Sequence, residues 1–201
     1  MKIAKIFPTL IAEGLLPHAS SLNRALLREI ILLSQQDRVG QAWSKDNYVG
    51  GYTSYASLND LQFRSPTFAK FADFLEPEVK RFARAQGWSL KAGQLRMTSL
   101  WMNLMPRHSY HNLHLHPHSV ISGAYYVSTP PGSVSLKLED PRMPLYMNAP
   151  NREKFPFTYE IEARAGKFVL FESWLRHEVP PNASVKPRIS LSFNYEMEPK
   201  E

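Results

Sequence analysis

Histidine is concentrated in one short segment of the chain. Five of the seven histidines lie between positions 108 and 118, and three of them, His114, His116 and His118, occupy alternate positions. In an extended strand alternate side chains point the same way, so His114 and His116 are expected on one face and Leu115 on the other. Two imidazoles at this spacing can bind one metal ion at adjacent positions and leave its other positions open. The segment therefore predicts a metal site.

A third ligand is expected from a different strand. His177 follows the apolar, strand-like run at 168–171 and precedes two prolines, which suggests the end of a strand. The chain has no cysteine, so imidazole, carboxylate, carbonyl or water must bind any metal. Nitrogen ligands suit iron, zinc, copper and nickel alike, so these residues do not identify the ion. The competing interpretation is a group of surface histidines that bind metal only adventitiously.

An arginine downstream of His177 is a second candidate binding residue. By strand alternation Arg188, Ser190 and Ser192 share one face, and apolar residues share the other. An inward arginine needs an anionic partner because an unpaired buried charge is costly, and a guanidinium matches a carboxylate in bidentate geometry. The alternatives are an internal ion pair with the glutamate at 160, 162 or 172, and simple exposure to solvent.

The elements that must position these residues change in character along the chain. Apolar residues recur at helical spacing within 22–33 and again within 68–82. After these segments, short apolar runs alternate with prolines and polar turns, as they do in sandwiches and barrels of strands. The order predicts an α+β protein with N-terminal helices packed on a β core. We expect one domain over 1–201, helical over about 1–92 and with its β core over about 93–198.

The composition limits the class of protein. The 201 residues are 43% hydrophobic and carry a net charge of +6, without a basic run or an apolar segment long enough to cross a membrane. A nucleic-acid partner is therefore not favoured. The first residues lack the pattern of a secretion signal, so a cytoplasmic protein is expected.

Several stretches together resemble the 2-oxoglutarate/Fe(II) oxygenase superfamily, and more narrowly a family of small bacterial and phage members. The patterns are N-x-H-x-H-P from position 112, S-x-x-S-G-x-Y-Y-V from position 119, a histidine at 177 and R-x-S from position 188. Their order and spacing extend the resemblance over nearly the whole chain.

The resemblance implies a double-stranded β-helix, the jelly roll of cupin-like proteins, flanked by helices. It implies an Fe(II)- and 2-oxoglutarate-dependent dioxygenase that hydroxylates a substrate, with the iron on His114, His116 and His177. The far carboxylate of 2-oxoglutarate would meet an arginine and a serine, with a tyrosine beside them and an asparagine lining the pocket. The residues so implied for the cosubstrate are Arg188, Ser190, Tyr126 and Asn103.

Position 116 departs from the superfamily's common pattern, in which the second ligand is a carboxylate. Three imidazoles leave the iron more positive, although non-haem iron dioxygenases with three histidines exist. His116 with His118 is a second possible pair, and Glu139 or Asp140 would supply a carboxylate if its strand came near. Two other functions stay open: a cupin-like three-histidine dioxygenase that does not use 2-oxoglutarate, and a non-catalytic metal-binding jelly-roll protein.

The expected partners are dioxygen and a small-molecule or peptide substrate, and a homodimer is an open alternative to a monomer. Aromatic residues crowd the segment before the second helical stretch, where they either cover the core or form a substrate lid. The loop over 142–157 could also border the site. The aromatic residues in question are Trp43, Tyr48, Tyr52 and Tyr55.

Overall fold

Two antiparallel β-sheets form the centre of the fold, and helices cover one of them. The computed structural model describes residues 1–91, 93–142, 145–148, 150 and 157–200. The strands are β1 (Ile11–Leu15), β2 (Tyr52–Thr53), β3 (Gly93–Met105), β4 (His111–His114), β5 (Ile121–Ser128), β6 (Leu136–Glu139), β7 (Thr158–Ile161), β8 (Lys167–Glu172), β9 (His177–Val179) and β10 (Arg188–Pro199). The helices are α1 (Ala19–Gln36), α2 (Arg38–Asn47), α3 (Pro66–Ala85) and α4 (Leu145–Asn148), with a 3₁₀ turn at Leu61–Phe63.

The larger sheet has the order β1-β8-β5-β10-β3-β2, and the smaller has β4-β9-β6-β7. Neighbouring strands are antiparallel throughout both sheets. Most hydrogen-bonded neighbours in the two sheets are strands that are not consecutive in sequence, so the chain crosses repeatedly between the sheets, as in a double-stranded β-helix. The predicted α+β class with a jelly-roll core is confirmed.

Helices α1 and α3 bury their apolar faces on the outer side of the large sheet. Leu26 and Ile30 of α1 and Phe71 of α3 are fully buried in one cluster with Leu191 and Phe193 of β10. The helical period that brings these positions to one face is the period seen in the sequence. Helix α3 begins where its residues favour a start, because the Ser65 hydroxyl accepts a hydrogen bond from the Phe68 N–H and proline occupies the first turn.

A second apolar cluster fills the space between the two sheets. Val169 and Phe171 of β8 pack there with Leu136 and Leu138 of β6. At Gly123 of β5 an added Cβ would lie 2.3 Å from the Val169 carbonyl oxygen, so a side chain at this position has no room. Some members of the cluster, among them Leu136 and Phe171, also line a pocket that polar residues enter from the neighbouring strands.

The N-terminal region contains more than helices. Strand β1 pairs with β8 along its full length, from Ile11 with Phe171 to Leu15 with Lys167. The strand has only five residues, and the glycine within it interrupts the alternation that usually marks a strand. The loop over 142–157, a candidate border of the site, lies largely outside the described residues.

Candidate active site

Three histidines meet where the ends of β4 and β9 adjoin. His114 is the last residue of β4 and is the register partner of His177, the first residue of β9. His116 follows β4 in an extended segment, held by a hydrogen bond of 3.0 Å from its N–H to the Ser173 carbonyl oxygen. Leu115 between the two histidines is exposed, so alternation places the imidazoles on the inner side. Candidate ligand atoms of the three histidines all lie within 4.8 Å of one another.

Each of these imidazoles is oriented by a hydrogen-bond acceptor at Nδ1. For His114 the acceptor is the Asn112 carbonyl at 2.7 Å, and for His177 it is the Leu175 carbonyl at 2.8 Å. For His116 it is the side-chain oxygen of Asn194 at 2.6 Å. An acceptor at Nδ1 requires the proton there, so the lone pair is on Nε2, the form in which histidine binds metal.

The separations fit one divalent ion. The Nε2 atoms of His114 and His116 lie 3.2 Å apart, and two nitrogens about 2.1 Å from a metal at near right angles would lie about 3 Å apart. Burial lowers the pKa of His114, that of His116 to about 4 and that of His177 to about 2. All three imidazoles are therefore neutral at neutral pH, as ligands must be.

Asn194 belongs to a buried polar network behind His116. Its side-chain oxygen also accepts a hydrogen bond of 2.8 Å from the Ser122 hydroxyl, which lies 2.8 Å from the Ser173 hydroxyl. The network joins β10, β5 and the segment after β8. It fixes the ring of His116, the one histidine of the three that no strand contains.

A pocket extends from the histidines along the inner face of β10. Arg188, Ser190 and Ser192 all line it, as strand alternation predicts, and Asn103 faces it from β3. The pocket has a volume of about 490 Å³, including the space at its open mouth. Its lining among the described residues contains no aspartate or glutamate.

Arg188 is buried in this pocket without an anionic partner in the described part of the chain. Only 2% of the residue is exposed, and no described carboxylate oxygen lies within 4.0 Å of its nitrogens. One terminal nitrogen contacts the Met105 sulfur at 3.2 Å and the Ser190 hydroxyl at 3.5 Å, while Nε has no hydrogen-bond partner. Glu160, one of the alternative partners, lies 3.2 Å from Lys137 instead.

The other residues expected at the cosubstrate take different positions. The Asn103 amide is fixed by hydrogen bonds with Thr53 at 2.8 Å and Ser192 at 3.0 Å. Tyr126 does not line the pocket; its ring lies against Arg188, with the guanidinium carbon 4.8 Å from the ring centroid. Its hydroxyl is buried and has no hydrogen-bond partner among the described residues. Burial raises the pKa of Tyr126.

The alternative ligands lie away from the cluster. His118 is exposed in a turn with a φ of 68°. Glu139 forms an ion pair of 3.0 Å with Arg176, and Asp140 forms one of 2.6 Å with Arg142. None of these three groups is among the candidate metal-binding residues in the described part of the chain.

One pocket residue, His111, was missed by reasoning from the sequence, and a second, Tyr48, was considered only as part of a substrate lid or of the core cover. The His111 ring stacks on His114 with centroids 4.2 Å apart, and Tyr48 meets His111 edge-on at 5.3 Å. His111 and His114 are three positions apart, so regular alternation would place them on opposite faces of a strand. The β4–β9 register shifts between them, which brings both side chains to the pocket side. Tyr48 is at the end of α2 and packs over Gly51, where a Cβ would lie 2.2 Å from its ring.

The aromatic residues before α3 have divided roles. Tyr55 meets Trp101 at 5.2 Å, and Trp101 lines the pocket beside His116 at 5.7 Å, so Tyr55 packs on the pocket wall without lining the pocket itself. Tyr52 instead donates a hydrogen bond of 2.7 Å to Asp37, away from the pocket.

The fold and the site together define a metal-binding double-stranded β-helix protein. Its pocket contains a buried arginine beside the three histidines. Residues 99–194 match the model of the family described as "Putative 2OG-Fe(II) oxygenase". Over this segment, just under half of the chain, the protein is similar to the 2-oxoglutarate/Fe(II) oxygenases, enzymes that use iron and 2-oxoglutarate.

Solved structures share the fold at low identity. A Pseudomonas putida prolyl-4-hydroxylase is 16% identical, with a TM-score of 0.62 over 96% of this chain and 94% of that one. HygX from Streptomyces hygroscopicus, solved with nickel, 2-oxoglutarate and hygromycin B, is 14% identical, with a TM-score of 0.60 over 94% and 83%. A viral collagen prolyl hydroxylase from Paramecium Bursaria Chlorella virus-1, solved with 2-oxoglutarate, is 9% identical, with a TM-score of 0.60 over 92% and 96%.

A search of curated proteins gives no match. Among the described residues, the helices include none with the length and apolar character that a membrane crossing requires.

Proposed function

We propose that this oxygenase binds Fe(II) through His114, His116 and His177 and anchors 2-oxoglutarate through Arg188. One observation carries the assignment: three histidines with ligand atoms within 4.8 Å of one another line the same pocket as a buried arginine that lacks an anion in the described structure. A dicarboxylate joins the two, because its keto-acid end can reach the metal and its far carboxylate can pair with the guanidinium.

Each neighbouring residue then has a definite task. Ser190 lies beside the guanidinium and donates to the same carboxylate, while Tyr126 supports Arg188 from behind. Asn103, fixed by Thr53 and Ser192, presents a polar edge to the middle of the pocket. The bound iron supplies the activation of dioxygen, coupled to conversion of 2-oxoglutarate to succinate and carbon dioxide, and the protein positions the reactants and excludes water.

A three-histidine dioxygenase that needs no cosubstrate is the second candidate, and Arg188 distinguishes the two. Such an enzyme would have no use for a buried cation in the pocket unless its own substrate supplied the anion. A non-catalytic metal protein would have no use for a buried, unpaired arginine in the pocket that adjoins the ion.

Turnover of 2-oxoglutarate is the direct test. The protein reconstituted with Fe(II) should release succinate in air, and omission of 2-oxoglutarate or chelation of the metal should reduce release to background. Thermal unfolding should shift upward on addition of 2-oxoglutarate only when metal is present, because the keto-acid end binds through the ion. Metal binding without any response to 2-oxoglutarate would favour the second candidate.

The hydrogen bond behind His116 should matter for metal affinity. In Asn194→Leu the Nδ1–H of His116 loses its shorter acceptor and keeps only the Ser122 hydroxyl, 3.1 Å from Nδ1, so the ring is held less firmly. We expect metal affinity to fall about 10- to 100-fold, the usual effect of removing such a partner. Competition with a chromophoric chelator measures it, and Ser192→Ala, on the same strand and not bonded to a histidine, is the control. Equal affinities in both variants and the wild type would contradict this role for Asn194.

The substrate proposed is a small molecule or a peptide that reaches the iron past Tyr55 and Trp101. A cytoplasmic location and a homodimer stay predictions from the sequence.

A further inference from the structure

We infer that three aromatic residues, Trp43, Tyr55 and Trp101, form a path for electrons from the protein surface to the metal centre. These three residues are called the aromatic chain below. When no substrate is bound, a reductant in solution would act through this path on the oxidising equivalents that turnover of 2-oxoglutarate produces. The inference rests on the proposed function, because that reaction supplies the oxidising equivalents.

The rings of the aromatic chain follow one another from the surface to a metal ligand. Ring centroids are 6.3 Å apart for Trp43 and Tyr55, 5.2 Å for Tyr55 and Trp101, and 5.7 Å for Trp101 and His116. All three spacings are those of aromatic rings in contact. Electron tunnelling weakens steeply with distance, so three short steps between such rings are much faster than one long step from the surface.

Exposure to solvent decreases along the aromatic chain toward the metal. Tyr55 is 47% exposed and Trp43 is half-buried, whereas Trp101 is 3% exposed and lines the pocket. A solute too large to enter the pocket can therefore approach Tyr55. Water beside the exposed phenol can also accept the proton that tyrosine loses when it is oxidised.

Packing alone does not account for the residue types in the aromatic chain. The two apolar clusters of the fold, over the residues that the structure describes, include none of its three side chains. Phenylalanine would make similar ring contacts, but it is much harder to oxidise than tyrosine or tryptophan. The side chains between surface and metal are thus the two aromatic types that can carry an electron vacancy.

The path needs a reductant in solution to balance the reaction. Turnover of one 2-oxoglutarate puts one atom of dioxygen into succinate, and without substrate the other atom becomes water by taking up two electrons and two protons. Trp101 would donate each electron and be reduced by Tyr55, which loses a proton to water and regains it when a one-electron donor reduces it. Each succinate then consumes two electrons from solution, and the pocket is protected from oxidation of its own side chains.

Ferrocyanide tests the path, because it is too large to enter a pocket filled by 2-oxoglutarate and its oxidised product is coloured. The Fe(II)-loaded protein is supplied with 2-oxoglutarate in air without substrate. The wild type is compared with Tyr55→Phe and with Tyr159→Phe, which makes the same change at an exposed residue of β7.

We expect about two ferricyanide ions per succinate in the wild type and in Tyr159→Phe, and at least about fivefold fewer in Tyr55→Phe. Mass spectrometry of the same samples should find more oxygen added to Trp101 in Tyr55→Phe, because the tryptophan is no longer reduced from outside. Equal ratios of ferricyanide to succinate in the three proteins would overturn the inference.

A measurement on the metal-free protein separates the path from turnover. Azide radicals made by pulse radiolysis oxidise accessible tryptophan, and transfer from Trp43 to Tyr55 converts tryptophanyl absorbance into tyrosyl absorbance. The tyrosyl signal should be at least about twofold smaller in Tyr55→Phe than in the wild type and Tyr159→Phe. Equal signals would overturn the inference and leave the proposed function intact. Absence of succinate from the iron-loaded wild type would instead overturn the proposed function, and the inference with it.

Discussion

His177→Ala is expected to abolish metal-dependent turnover of 2-oxoglutarate and to lower metal affinity by at least about 100-fold. The residue is 5% exposed and is the one histidine of the cluster that comes from β9. Without it the ion would be bound by two imidazoles from one short segment, with no protein group on the opposite strand. Succinate release should fall to the level of the metal-free protein, because without the ion dioxygen is not activated.

The metal-free variant should remain folded, which separates loss of a ligand from loss of structure. Truncation removes the ring that packs on Phe171 at 4.7 Å and leaves the Leu175 carbonyl without its donor, at a cost of about 1–3 kcal/mol. Wild type should gain thermal stability when metal is added, whereas His177→Ala should gain almost none. Circular dichroism with and without Co(II) measures both effects.

His118→Ala is the matched control, since it removes an exposed imidazole from the same histidine-rich segment. Metal affinity and turnover should equal those of the wild type. Loss of metal in His118→Ala together with retention in His177→Ala would show that the ligand set is wrong, and that the second alternating pair binds the ion.

Strand periodicity predicted much of this site, and its failures have local causes. The alternation of His114, Leu115 and His116 correctly gave the inner and outer faces, and that of Arg188 and Ser190 gave the pocket face of β10. Alternation is reliable here because the pleat of one strand alone determines which side chains share a face, whatever the rest of the chain does.

Features that depend on two segments at once could not be predicted in the same way. The register shift that brings His111 into the pocket is a property of β4 and β9 together, and the strand pattern alone assigns that histidine to the opposite face. The acceptor behind His116 is Asn194, 78 residues away, and no spacing rule connects the two. The contact of Tyr126 with the cosubstrate stays a prediction from the resemblance; its ring lies against the Arg188 guanidinium and outside the pocket lining.

Arg188→Met is expected to separate binding of the cosubstrate from stability of the protein. In the absence of 2-oxoglutarate the wild type buries a guanidinium whose Nε has no partner and which has no described carboxylate within ion-pair distance. Methionine fills similar space beside Met105 and Tyr126 without a charge to desolvate. Replacing a buried charge by an apolar side chain is often neutral or stabilising by about 1–4 kcal/mol, so the ligand-free variant should unfold at an equal or higher temperature.

Binding of 2-oxoglutarate should change in the opposite direction. Its far carboxylate would enter the pocket with no cation, and truncating one partner of a buried charge pair typically costs about 2–5 kcal/mol, at least about 30-fold in affinity. Metal affinity should stay within about twofold of the wild type, because the three histidines keep their partners. Calorimetric titration of 2-oxoglutarate into the Co(II)-loaded protein measures the first effect, and chelator competition the second.

Arg176→Met is the appropriate comparison, because it makes the same chemical change at an arginine that is half-exposed and already paired with Glu139. It should leave the affinity for 2-oxoglutarate unchanged and should not raise the unfolding temperature. Should Arg188→Met instead destabilise the ligand-free protein while 2-oxoglutarate still binds normally, the guanidinium would be a structural element of the pocket wall. The cosubstrate would then need another anchor. The combination of a more stable ligand-free protein with weaker cosubstrate binding is expected only if the position is maintained for an anionic ligand, because structure alone gives no reason to bury an unpaired charge there.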